Sequence, residues 1–89
     1  MIEGVLKGCL RGRGLQLYSK EKQRFFDFAP DSKVVVLINN EWTRVDVHIG
    51  QQGSVCNLIV GGHRIQENLE SKIVGGHRIE EGLQAKILD

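Results

Sequence analysis

Residues 59–72 read IVGGHRIQENLESK and residues 73–86 read IVGGHRIEEGLQAK. Ten of the fourteen positions are identical, and the two copies abut without a gap. Ile65, Leu69 and Ile73 lie four apart, as do Ile79, Leu83 and Ile87, a spacing that by itself suits an amphipathic helix. The substitutions between the copies argue for strands instead. Asn68 of the first copy is Gly82 of the second, and these are the two residue types that most easily take a positive φ. A three-residue hairpin loop needs such a residue at its last position. The pairs Gly61-Gly62 and Gly75-Gly76 would weaken a helix further. Gln66-Glu67-Asn68 and Glu80-Glu81-Gly82 are therefore predicted to be hairpin loops.

This reading fixes faces and partners. Fourteen is even, so both copies direct equivalent positions to the same side of a sheet. The odd positions, among them Ile59, Ile65, Leu69, Ile73, Ile79, Leu83 and Ile87, form an apolar face. Arg64, Glu70, Lys72, Arg78, Gln84 and Lys86 form a charged one. Val60, Val74 and Leu88 are the exceptions on the charged face, and mark a candidate surface for a second copy of the chain. The predicted register pairs Ile65 with Leu69 and Ile79 with Leu83. It places each inward Gly opposite an Ile, the kind of side-chain complementarity that stabilises a sheet.

The same texture runs through the first half. Residues 4–10, 15–19, 24–28, 33–38 and 42–49 read as strands, separated by Arg11-Gly12-Arg13-Gly14, Lys20-Glu21-Lys22, Ala29-Pro30-Asp31-Ser32 and Asn39-Asn40. The expectation is a single all-β domain over residues 1–89. It is an antiparallel meander of about eight short strands forming a small barrel or sandwich, with the duplicated unit at its C-terminus.

Composition bounds the function. The chain has 89 residues, a formal net charge of +1 and 26% charged residues. Overall charge thus selects no partner, and the small core makes association of copies a reasonable expectation. No apolar stretch approaches a membrane span and no signal peptide opens the chain, so a cytoplasmic location without membrane contact is the default. Cys9 and Cys56 match no metal spacing and read as small buried apolar side chains.

No phosphate loop or nucleophile elbow is present, so no catalytic residue, metal ligand or cofactor is assigned and binding is favoured over chemistry. His63 and His77 read as inward, hydrogen-bonded structural residues. The basic segment is more pointed: Lys7, Arg11, Arg13, Lys20, Lys22 and Arg24 stand against Glu21 alone, interleaved with Tyr18, Phe25, Phe26 and Phe28. Alternation forces one of Phe25 and Phe26 outward. Cationic turns beside an exposed aromatic on a small β domain suit single-stranded nucleic acid or another polyanion, gripped by Arg11, Arg13, Lys20, Lys22 and Arg24. The alternative is a homo-oligomeric structural or adaptor module using Val60, Val74 and Leu88. A third reading places a hydrolase-like or sugar-binding site on the polar strand face of Trp42, Arg44, Asp46 and His48.

Overall fold

A computed structural model describes residues 1–8, 14–49, 56–67 and 70–88, with the backbone alone at 63–67 and 70–74. Ten strands succeed one another: β1 (Ile2–Gly8), β2 (Leu15–Ser19), β3 (Arg24–Phe26), β4 (Val34–Ile38), β5 (Glu41–Ile49), β6 (Cys56–Val60), β7 (His63–Glu67), β8 (Glu70–Val74), β9 (His77–Arg78) and β10 (Gln84–Ile87). The described residues contain no helix, and hence none long and apolar enough to cross a membrane. Eight strands form one antiparallel sheet in the order β3-β2-β1-β10-β4-β5-β6-β9, and β7 and β8 form a separate pair.

The eight-stranded sheet curls into a half-barrel. Its two flanks approach at Gly14, just before β2, which makes a lone parallel bridge to Cys56 of β6. The alternating apolar residues of each strand line the concave side. Leu6 and Leu17 are paired neighbours there, beside Val34, Val36, Val45, Val47 and Leu58. The unbroken apolar run of β4 divides between the two sides: Val34 and Val36 are buried, while Val35 and Leu37 are half-buried. Asn39 and Asn40 have φ of 51° and 64° and turn β4 back into β5. Two positive φ values are what a two-residue loop requires to match strand twist, and Asn is the non-glycine residue that best supplies them.

The meander is broken twice: β3 does not pair with β4, and β9 does not pair with β10. β10, the last strand, lies between β1 and β4, with Ile2 opposite Ile87 and Ile87 opposite Val34. Leu6 N–H donates to the Leu83 carbonyl and Gly82 N–H to the Leu6 carbonyl, so the approach to β10 is also tied to β1. The C-terminal strand thereby joins the two halves of the sheet.

The repeat folds differently from the prediction. Glu67 faces Glu70, Ile65 faces Lys72 and His63 faces Val74. Beyond the glycines, Val60 faces His77 and Ile59 faces Arg78. The paired residue numbers add to the same total in both segments, so copy one runs antiparallel to copy two along a single long hairpin. The strands leave two residues between them, not three; these are Asn68 and Leu69, which lie outside the described residues. Glycine stands opposite glycine at the interruption, not opposite isoleucine. The second predicted hairpin does not form, because β9 pairs with β6 while β10 pairs with β1 and β4.

A two-residue connection pairs residues of opposite parity, and a one-residue change of register exchanges faces. On β6 the even positions therefore turn inward. Leu58 is buried, and Val60 packs against the core. After β9 and on β10 the odd positions Ile79, Ala85 and Ile87 do so, as expected, but Leu83, expected on the same face, is exposed in the turn between them. His77 is exposed, contrary to its reading as an inward residue.

Candidate nucleic-acid interface

The residues singled out by sequence are divided by strand alternation. On β3, Phe25 is 53% exposed and turned outward, while Phe26 is half-buried against the core. Arg24 shares the inward-facing parity of Phe26, and its guanidinium lies 4.6 Å from the centre of that ring. Arg24 is thus an aromatic-bound cation at the sheet edge, on the opposite side from Phe25. Lys20 and Lys22 are exposed in the turn between β2 and β3. That turn is anchored by the buried Ser19, whose Oγ accepts the Lys22 N–H at 3.3 Å. Arg11 and Arg13 lie outside the described residues.

The convex side of the sheet carries a row of aromatics and aliphatics. Phe25 is the register partner of Tyr18, with ring centres 4.9 Å apart, and Tyr18 is the partner of Val5. Val5 in turn faces Gln84 of β10. Trp42, on β5, is 41% exposed at the far end of this side. A groove of about 370 Å³ runs from the Lys20 turn to Trp42, lined by Glu3, Val5, Lys20, Glu21, Trp42 and Lys86 among others.

One reason Lys20 reaches this groove is Gly4. A side chain at Gly4 would run into the backbone of Tyr18 and Ser19. The glycine lets β2 approach closely where it leads into the Lys20 turn. At the other end, Lys86 Nζ sits 4.1 Å from the centre of the Trp42 ring and 3.6 Å from Glu3 Oε1. The groove thus holds two cations and a tryptophan, together with two carboxylates, Glu3 and Glu21.

Sequence reasoning placed Lys20 and Trp42 in separate hypotheses and did not single out Glu3 or Lys86 as a pair. Those two come from opposite ends of the chain, and only the insertion of β10 beside β1 makes them neighbours. Of the polar strand face, Arg44 is exposed and Asp46 and His48 are half-buried. Among the described residues, no three His, Cys, Asp or Glu groups cluster as metal ligands would.

A second groove of about 580 Å³ lies where Gly14 approaches Cys56, bordered by Gly8, Gly14, Leu15, Asn57, Ile79, Glu80 and Glu81. Glu81 Oε2 accepts the Gly8 N–H at 2.8 Å. Its described charges are both carboxylates, which disfavours an anionic ligand there. Of the oligomer-surface residues, Val60 is half-buried in the body, Leu88 is 42% exposed, and for Val74 only the backbone is described.

Cys56 is a free, half-buried thiol at the same approach. Burial, with a smaller contribution from the negative charge of Asp27, pushes its pKa up from 9.0 to about 11. The reactive form is the thiolate. Alkylation of Cys56 by iodoacetamide in the native protein is therefore expected to be far slower than in the urea-unfolded chain at pH 8, read by mass spectrometry of the Cys56 peptide. Equal rates would show the thiol to be unprotected. Because the folded pKa is the higher one, this group's contribution to stability is complete below about pH 9 and is lost as pH rises toward 11.

No protein-family model, curated protein or solved structure matches this chain.

Proposed function

We propose that this chain is a non-enzymatic binding module that engages single-stranded nucleic acid along the convex side of its sheet. The observation that carries the reading is the groove in which Lys20, Trp42 and Lys86 converge, on the side of the sheet that also carries the exposed Phe25 and the half-buried Tyr18. Exposed rings offer stacking surfaces to bases regardless of sequence, and flanking cations meet phosphates. Lys20 and Lys22 supply the turn charges, and Arg11 and Arg13 remain part of the proposed basic set. Lys86 occupies one position over the Trp42 ring. A base stacking there would replace a cation–ring contact of roughly 0.5–1 kcal/mol with base stacking of about 1–3 kcal/mol. The balanced carboxylates of the groove fit a modest affinity. The second reading, a self-associating module, is favoured by a different feature, the repeat hairpin.

Trp42 is the single tryptophan, so the chain carries its own probe. Titration with a mixed-sequence single-stranded oligonucleotide is expected to quench its fluorescence saturably, with affinity that falls steeply as salt rises. Trp42→Ala, followed by anisotropy of a labelled oligonucleotide, is expected to weaken binding by about tenfold or more. Lys20→Glu with Lys22→Glu is expected to weaken it and lower the salt slope by about two. Absence of binding at low salt would overturn the nucleic-acid reading.

A further inference from the structure

The long hairpin has a symmetry that a hairpin does not need. Ile59 faces Arg78 as Arg64 faces Ile73, and Val60 faces His77 as His63 faces Val74. The two copies of Ile-Val-Gly-Gly-His-Arg are therefore related by a local two-fold axis at the four glycines. Gly61 and Gly75, equivalent in the repeat, have nearly equal φ of 76° and 74°, whereas of the other pair only Gly76 has a positive φ, so the symmetry is one of register. Like segments paired about a two-fold axis is the geometry of an isologous contact between subunits. Here both segments belong to one chain. Beyond the glycines, β7 and β8 pair only with each other among the described strands.

In the closed form, with both strands from one chain, β7 ends at Glu67 and β8 begins at Glu70, so two residues join them. Two-residue hairpins favour Asn-Gly, Asp-Gly or a leading Gly, because their central positions call for positive φ. The sequence at the join is Asn-Leu, which lacks the glycine of the favoured pairs. The ladder itself is indifferent to which chain supplies its second strand.

We propose that the repeat hairpin is an exchangeable arm whose partner is a second copy of this chain. In the exchanged dimer, β8 and β9 of one copy pair with β7 and β6 of the other, and β10 enters the gap between the other copy's β1 and β4. The interstrand hydrogen bonds of the closed fold are remade between chains, and the crossing falls between β7 and β8. A second copy is the fitting occupant, because it brings both the self-complementary segment and the strand that fills the sheet. Such a dimer presents two convex grooves in one particle. The inference stands independently of nucleic-acid binding.

The test uses a Cys9→Ser, Cys56→Ser background carrying Ile59→Cys and Arg78→Cys. Ile59 and Arg78 are register partners next to the Leu58–Ile79 contact, where Ile79 N–H donates to the Leu58 carbonyl. Hydrogen-bonded and closer non-hydrogen-bonded pairs alternate along an antiparallel ladder, and the closer kind suits a disulfide. The protein is unfolded and refolded over a range of concentrations. It is then oxidised and examined by size-exclusion chromatography with light scattering and by non-reducing electrophoresis. The expected result is a dimer fraction that grows with concentration and is joined by interchain disulfides. Leu69→Gly, which creates Asn-Gly, is expected to lower the dimerisation constant about tenfold by favouring the closed form. Monomer at every concentration would overturn the proposal. So would dimers whose disulfides stay within one chain, or dimerisation unchanged by Leu69→Gly.

Discussion

Alanine at Gly14 is expected to destabilise the protein by about 3 kcal/mol, a large effect for one methyl group. Two costs coincide there. The backbone of Gly14 has a φ of 83°, where a Cβ costs about 1–2 kcal/mol. The added atom would also run into the backbone of Cys56, across the point where the curled sheet meets itself. Overpacking of this kind typically costs about 1–3 kcal/mol, and a backbone obstacle cannot rotate away as a side chain can. Gly82→Ala separates the two costs. Gly82 has a φ of 100° but nothing within 4 Å of the position a Cβ would take, so conformational strain acts alone. Urea unfolding followed by far-ultraviolet circular dichroism should place Gly14→Ala clearly below Gly82→Ala. Equal midpoints would mean that the Gly14–Cys56 approach contributes nothing to stability.

Truncating the centre of the core should do comparable damage. Leu6 and Leu17 are both fully buried and are register partners on β1 and β2. Leu6→Ala or Leu17→Ala is expected to cost about 2–5 kcal/mol, the spread reflecting how far the surroundings can close on the cavity. A domain of this size holds roughly 5–15 kcal/mol in total. The double variant therefore stands at the edge of unfolding at room temperature. Because the two side chains belong to one packed cluster, its cost is expected to differ measurably from the sum of the single costs. A strictly additive double variant, measured by the same urea titration, would show that the two leucines do not share a cavity.

The strand content was legible because it is written locally. Asn39-Asn40 announced a positive-φ turn, Val45, Val47 and Ile49 announced a face, and the adjacent phenylalanines had to divide between two sides. The repeat was legible as strand but misread in register. Asn68 and Gly82 substitute for one another, which suggested that both end a loop of the same kind. Only Gly82 lies in a described turn, between β9 and β10; Asn68 falls in the two-residue connection of the long hairpin. Nothing in the local pattern distinguishes two loop residues from three, yet that single residue decides whether Leu58 and Val60 or Ile59 meet the core. The groove was half legible. Lys20, Phe25 and Trp42 drew attention by residue type. The Glu3–Lys86 pair did not, because it depends on where β10 pairs, and no local periodicity encodes a partner at the other end of the chain.

The glycines at the base of the arm bear on how the length of this protein can vary. Val60 and His77 are already partners, and Gly61 and Gly76 have φ of 76° and 80°. Excision of residues 62–75, one repeat length, would join those two glycines into a Gly-Gly loop with both central φ values positive, a favoured closure for a two-stranded ribbon. The half-barrel would keep every strand and every pairing it has now. One whole unit can thus be lost without disturbing the body that carries the groove. A change of a single residue would reverse the inward and outward sides of the ribbon. Fourteen residues is therefore a natural step by which evolution could set the reach of this arm while the remainder of the molecule stays constant.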